Sequence, residues 1–127
     1  MPAVNPVIYF EIPVTDMQRA QKFYTEVFDF HFEPASIDGY EMMYFPFYES
    51  STGITGALAK GDVYQPSKKG IIIYFRTHDI DRTLAKVVAS NGKILYPKTI
   101  NDTYGFIVAE FEDSEGNRIA LHQLINE

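Results

Sequence analysis

At 127 residues, 46% hydrophobic and 22% charged, the chain has the size and composition of one globular domain able to bury a core. A net charge of −6, with no Lys/Arg cluster beyond Lys68-Lys69, argues against nucleic acid as a partner. The absence of cysteine removes disulfides, thiolate nucleophiles and cysteine metal sites. No apolar run approaches the roughly 20 residues of a membrane span. The first ten residues, MPAVNPVIYF, lack the basic region and long apolar core of a signal peptide, so no membrane partner and a cytoplasmic location are expected.

From Val7 to Ile12 the chain alternates with a β period. Ile8, Phe10 and Ile12 form an apolar face expected to lie under a helix; Tyr9 and Glu11 decorate the other. Pro13 stops the strand, and Thr15 or Asp16 can cap a helix whose apolar positions are Met17, Ala20, Phe23, Tyr24, Val27 and Phe28. That helix is expected to end near Asp29. Strands follow at Phe30–Pro34, Glu41–Tyr48 and Ile54–Ala59, with turns at 37–39 and 50–53 and an edge or bulge expected at Pro46.

Lys60 to Lys69 is polar and aperiodic, and divides a first unit at 7–59 from a second at 70–125 within one domain, 1–127. The pattern then restarts. A strand at Ile71–Arg76 leads to Asp79, a second cap, and a helix over Ile80–Ser90 with Ile80, Leu84, Val87 and Val88 inward. Asn91-Gly92 closes it in the left-handed manner. A strand at Lys93–Tyr96 gives way to a loop through Pro97 and Asn101-Asp102; strands at Phe106–Glu112 and Arg118–Leu124 flank a hairpin turn at 113–117. Both halves thus read β-α-β-β-β, an α+β protein of two such modules. Anchoring them on Asp16 and Asp79 pairs Tyr9 with Ile72 and Glu11 with Tyr74. A slip of one residue would exchange the faces.

The segments IPVTDMQRAQKFYTEVF, THDIDRTLAKVVASNGK and FEDSEGNRIALHQ, in that order, resemble the vicinal oxygen chelate superfamily of glyoxalase I, bleomycin- and fosfomycin-resistance proteins and extradiol dioxygenases. The third is similar to that family's D-x-[DE]-G-[NH]-x-[IL]-x-L hairpin. The resemblance implies two modules that each curl a sheet into half of a cleft, and usually a divalent metal on His and Glu ligands there. It also implies a homodimer. The implied ligand positions hold Tyr9, Ile72 and Ala120, with a fourth in Ile54–Ala59, a strand without His, Asp or Glu. No metal and no other cofactor is therefore expected.

On the same parity Tyr9, Glu11, Tyr74, Arg76, Ala120 and His122 share the cleft face. Glu11 and His122 are the candidate proton-transfer residues, with Arg76 as holder of a substrate anion. Equally, Glu11 and Arg76 could satisfy each other as an inward ion pair. Tyr9, Tyr74, Phe45 and Phe47 are candidate ligand contacts; the aromatic content of 15% suits a pocket, a core or an interface. His31 and His78 are expected at the surface. Three functions remain open: a metal-free binder of a small aromatic or polar organic molecule, a glyoxalase-type lyase or isomerase with Glu11 as base, and a protein–protein module on the aromatic strand.

Overall fold

The computed structural model describes residues 3–126. The first module comprises β1 (Phe10–Pro13), α1 (Met17–Phe28), β2 (Glu33–Ile37), β3 (Tyr40–Tyr44) and β4 (Gly56–Lys60). The second comprises β5 (Ile73–Arg76), α2 (Ile80–Ala89), β6 (Lys93–Asn101), β7 (Phe106–Glu112) and β8 (Arg118–Leu124). Each forms a four-stranded sheet, ordered β1-β4-β3-β2 and β5-β8-β7-β6. In both, the first strand runs parallel to the last, because a helix carries the chain across, and the remaining pairs are antiparallel.

The helices start where the capping residues dictate. Asp16 and Asp79 sit in extended backbone and accept from the N–H three residues on, Arg19 at 3.0 Å and Arg82 at 3.1 Å. Asp29 (φ 61°) and Asn91 (φ 69°) end them in the left-handed region. Between β2 and β3 the chain reverses in two residues, Asp38 and Gly39, both at positive φ, as a primed hairpin turn requires.

The register matches the alignment on the aspartates. Glu11 lies opposite Ala57 and Tyr74 opposite Ala120. Several boundaries differ from expectation. Ile8 precedes β1 and is 84% exposed, so only Phe10 and Ile12 carry the apolar face inward. β2 begins at Glu33, since Phe30 and Phe32 turn into the core instead. β3 ends at Tyr44, which leaves Pro46, Phe47 and Tyr48 outside the sheet. Val88 is 55% exposed and Thr83 takes the inward place, bonded to Thr77 at 2.7 Å. β6 runs straight through Pro97, which a terminal strand tolerates, with register irregularities on either side of Tyr96.

The helix-facing sides of both sheets share one core. Ile12, Val14, Phe23, Tyr24 and Leu58 pack with Ile80, Val87, Phe111, Ile119 and Leu121. Burial of this apolar surface is the main source of stability. The turn between β7 and β8 adds a polar clamp. Glu115 Oε1 accepts the backbone N–H of Thr15 and Asp16, each at 2.9 Å, and Oε2 accepts Arg19 Nε at 2.7 Å. A carboxylate of the second module therefore caps the helix of the first.

Burial alone would raise the Glu115 carboxyl. Arg19 and the two backbone N–H groups outweigh that and bring it from 4.5 down to about 2. Because the folded value lies below the unfolded one, the gain is fully present above 4.5 and is lost as pH falls through about 2. The displacement corresponds to about 3 kcal/mol, or about 2 kcal/mol once solvent around the half-exposed Arg19 is considered. Urea midpoints of wild type and Glu115→Gln are expected to differ at neutral pH and converge toward pH 2; a gap independent of pH would show the carboxylate charge to be irrelevant.

Candidate functional site

The predicted site residues fall into two places. On the face of the first sheet away from the core, Glu11 lies beside a small buried cluster of Met42, Ala57 and Ala59, against which Tyr40, Tyr44 and Tyr64 pack. Both its carboxylate oxygens are engaged. Tyr9 donates to Oε2 at 3.0 Å and Tyr64 to Oε1 at 2.8 Å. Tyr9 shares the face because it is two residues away on an alternating chain. Tyr64 arrives from the segment between the modules and packs edge-on against Tyr40 at 5.5 Å. Desolvation first, then the Glu11 carboxylate, holds the Tyr9 phenol well above its ordinary range. For Tyr64 the hydrogen bond to Glu11 leads, and its phenol is likewise raised. These phenols therefore stay protonated and act as donors.

On the corresponding face of the second sheet, Tyr74 lies beside Ala120 and Arg76 beside His122. His122 stacks on Phe106 at 5.3 Å, on a strand flanked by β5 and β7 rather than at a sheet edge. Arg118 pairs with Glu110 and covers the Tyr96 ring at 5.2 Å. The ion pair between Glu11 and Arg76 is not formed. Glu11 takes the two phenols, and Arg76 Nη2 turns away to donate to Thr52 Oγ1 at 3.0 Å. His31 and His78 are exposed, as expected.

Tyr74, Arg76, Phe45 and Phe47 instead meet at a second place. β1 and β5 are the terminal strands of their sheets, and Phe10 meets Phe75 edge-to-face at 6.2 Å. Phe45 lies 5.5 Å from Phe10 and 5.6 Å from Phe75, so three rings form the floor of a gap between the modules. The segment 46–55 walls the gap, and β5 forms the opposite side. The cavity measures about 480 Å³. Phe45 is buried in its floor while Phe47, 65% exposed, stands at its rim. Sequence reasoning missed Tyr64 and Thr52. Tyr64 is a lone aromatic in a polar connecting segment, and Thr52 is an ordinary turn residue; only the fold gives them partners.

The profile of the Glyoxalase/Bleomycin resistance protein/Dioxygenase superfamily matches residues 7–121. The chain belongs to this superfamily. A glyoxylase-like domain-containing protein of Didymella fabae is 31% identical over 114 residues, 87% of this chain and 88% of that protein. Among solved structures, a glyoxalase I variant from Zea mays superposes with a TM-score of 0.73 at 19% identity, over 93% of this chain. This chain spans 46% of the maize one. A glyoxylase/bleomycin resistance protein/dioxygenase domain from Frankia gives 0.73 at 14% identity, over 96% of this chain and 99% of that one. A fosfomycin resistance protein from Listeria monocytogenes gives 0.65 at 17%, over 97% and 94%. These likenesses show a common fold.

The metal usual in this superfamily can be tested against the donors present. Since Glu11 pairs with Ala57 just as Tyr74 pairs with Ala120, the fourth ligand position is Ala57. The full set is then Tyr9, Ala57, Ile72 and Ala120: one phenol already committed to Glu11 and three side chains without a donor atom. Such a set does not fit a divalent ion, which takes imidazole, carboxylate or thiolate. Among the described residues no group of three or more His, Cys, Asp or Glu gathers as a metal site. Among the described residues no helix is long and apolar enough to cross a membrane.

Proposed function

We propose that this superfamily member binds a small, largely aromatic organic molecule in the cavity between its modules, without a resident metal ion. The observation that carries the reading is the cavity itself. Its 480 Å³ lies in the range of about 300–1,000 Å³ typical of small-molecule sites, and its floor is Phe10, Phe45 and Phe75. Ring faces and edges at such a floor favour planar ligands. The donor-poor ligand positions support the metal-free part. The exposed Ile8 and Ile71, at the entries to β1 and β5, support a homodimer that covers them. The reading places that dimer in the cytoplasm.

Phe47 stands at the rim, so shortening it leaves the core intact. Phe47→Ala is expected to weaken binding of aromatic probes by about tenfold, read by isothermal titration. An unchanged affinity would remove the cavity as the site.

A second reading is favoured by one observation, the fixing of Glu11 by Tyr9 and Tyr64. A carboxylate held in place by two phenols can serve as the base of a lyase or isomerase step, with His122 and Tyr74 of the second module as further candidates. Glu11→Gln would abolish such turnover and leave cavity binding untouched. Turnover that survives the substitution would exclude Glu11 as base.

A further inference from the structure

We propose that the cavity between the modules selects an organic monocarboxylate, an aromatic or branched apolar body ending in one carboxylate, and that Arg76 reads the charge. The inference rests on the ligand-binding reading above and specifies its ligand. Among the described residues lining the cavity, Arg76 is the only charged one, in a chain whose net charge is −6. A cavity meant for a neutral hydrocarbon has no use for a guanidinium.

Two of the other arginines, Arg19 and Arg118, each hold a carboxylate of this chain, Glu115 and Glu110, while Arg82 stands exposed on α2 away from the cavity. Arg76 holds the neutral hydroxyl of Thr52 at 3.0 Å, which engages one of its five N–H donors. The turn at Gly53 comes close behind, so that a Cβ added there would stand 3.7 Å from Nη2. The guanidinium is thus held at the edge of an apolar floor with donors to spare. Its planar fork matches a carboxylate in two parallel hydrogen bonds. One cation balances one negative charge. A phosphate dianion would remain half uncompensated, because no lysine or second arginine lines the described cavity.

The order of contacts follows. The body of the ligand lies over Phe10, Phe45 and Phe75, and its carboxylate meets Arg76 at the exposed side. Thr52 either remains bonded to Nη2 or turns its hydroxyl to the same carboxylate.

The test uses phenylacetate, its neutral isostere phenylacetamide, acetate and inorganic phosphate, titrated calorimetrically into the whole chain. Wild type, Arg76→Gln and Arg76→Lys are compared; the side chain is exposed, so the variants retain the fold, which circular dichroism confirms. Wild type is expected to prefer phenylacetate over phenylacetamide by about tenfold or more, as the loss of a charge-assisted pair requires. Arg76→Gln is expected to level the two probes, Arg76→Lys to keep part of the preference, and acetate and phosphate not to bind. Equal affinity of wild type for both aromatic probes would overturn the anion selectivity while leaving an aromatic cavity. A preference that survives in Arg76→Gln would overturn the role of Arg76. Binding of phosphate as tight as phenylacetate would overturn the monocarboxylate class. Failure of both aromatic probes to bind wild type would overturn the ligand-binding reading itself.

Discussion

Gly56→Ala is expected to cost about 3 kcal/mol or more of stability and to weaken ligand binding at the same time. Gly56 is buried in β4 opposite Phe10 in a parallel pair. A Cβ placed there would stand 2.0 Å from the Phe10 carbonyl oxygen and 2.8 Å from its carbonyl carbon. Both are backbone atoms, so no side chain can swing aside. Strand β1 must lift off β4, and Phe10 then leaves the ring cluster that floors the cavity. The measurement is a urea titration beside a binding titration. Gly70→Ala is the control, because a Cβ there meets nothing within 4 Å and should change stability by less than about 0.5 kcal/mol. If Gly56→Ala costs no more than the control, β1 is not held by β4 in the way described.

Asp113→Ala is expected to destabilise the chain by about 3–5 kcal/mol, because one buried carboxylate collects four donors. Its Oδ1 accepts the N–H of Glu115 at 2.8 Å and of Asn117 at 2.9 Å; its Oδ2 accepts Tyr24 Oη at 2.7 Å and Asn117 Nδ2 at 3.2 Å. Asn117 Nδ2 in turn donates to the Pro13 carbonyl at 2.8 Å, which ties the turn to the end of β1. Deleting the carboxylate strands those donors in the core and releases Glu115 from the start of α1. Tyr24→Phe removes one bond and should cost about 1–2 kcal/mol. Thermal or urea unfolding distinguishes the two, and a loss for Asp113→Ala no larger than for Tyr24→Phe would show that the turn survives without its acid. The pH signs of the two acids of this turn oppose each other. Burial first raises the Asp113 carboxyl above 3.8, against the pull of its donors, so its contribution weakens as pH rises through its folded value. Glu115, shifted downward, gains over the acid range.

The module repeat was legible because local signals carry it. An aspartate three residues before an arginine begins each helix, a left-handed residue ends each, and an alternating strand precedes each. The parity of Tyr9 and Glu11 was legible for the same reason, since alternation needs no tertiary information. The ends of strands were less so. Ile8 alternates as well as Phe10 does, yet the ladder between β1 and β4 begins at Phe10 and Gly56, so Ile8 stays outside it. Pro97 signalled a loop, but β6 is a terminal strand and can lose a donor without penalty.

The site divides along the same line. Sequence placed Glu11 and Arg76 on equivalent faces, and the ladder agrees; it could not show that each prefers another partner. Tyr64, Thr52 and Glu115 find their partners over separations of 53, 24 and 100 residues. No periodicity encodes such contacts. Phe45 looked like a member of one aromatic strand. Its neighbours across space, Phe10 and Phe75, make it the floor of a cavity.

The most direct test of where a ligand sits is a two-dimensional amide spectrum recorded during titration with phenylacetate. The expected result is that shifts gather at residues 47–55 and 72–76, the two walls of the cavity, while Glu11, Ala57 and Ala59 stay still. Shifts centred on Glu11, Tyr64 and the tyrosine-covered face of the first sheet, with the cavity walls unmoved, would contradict it.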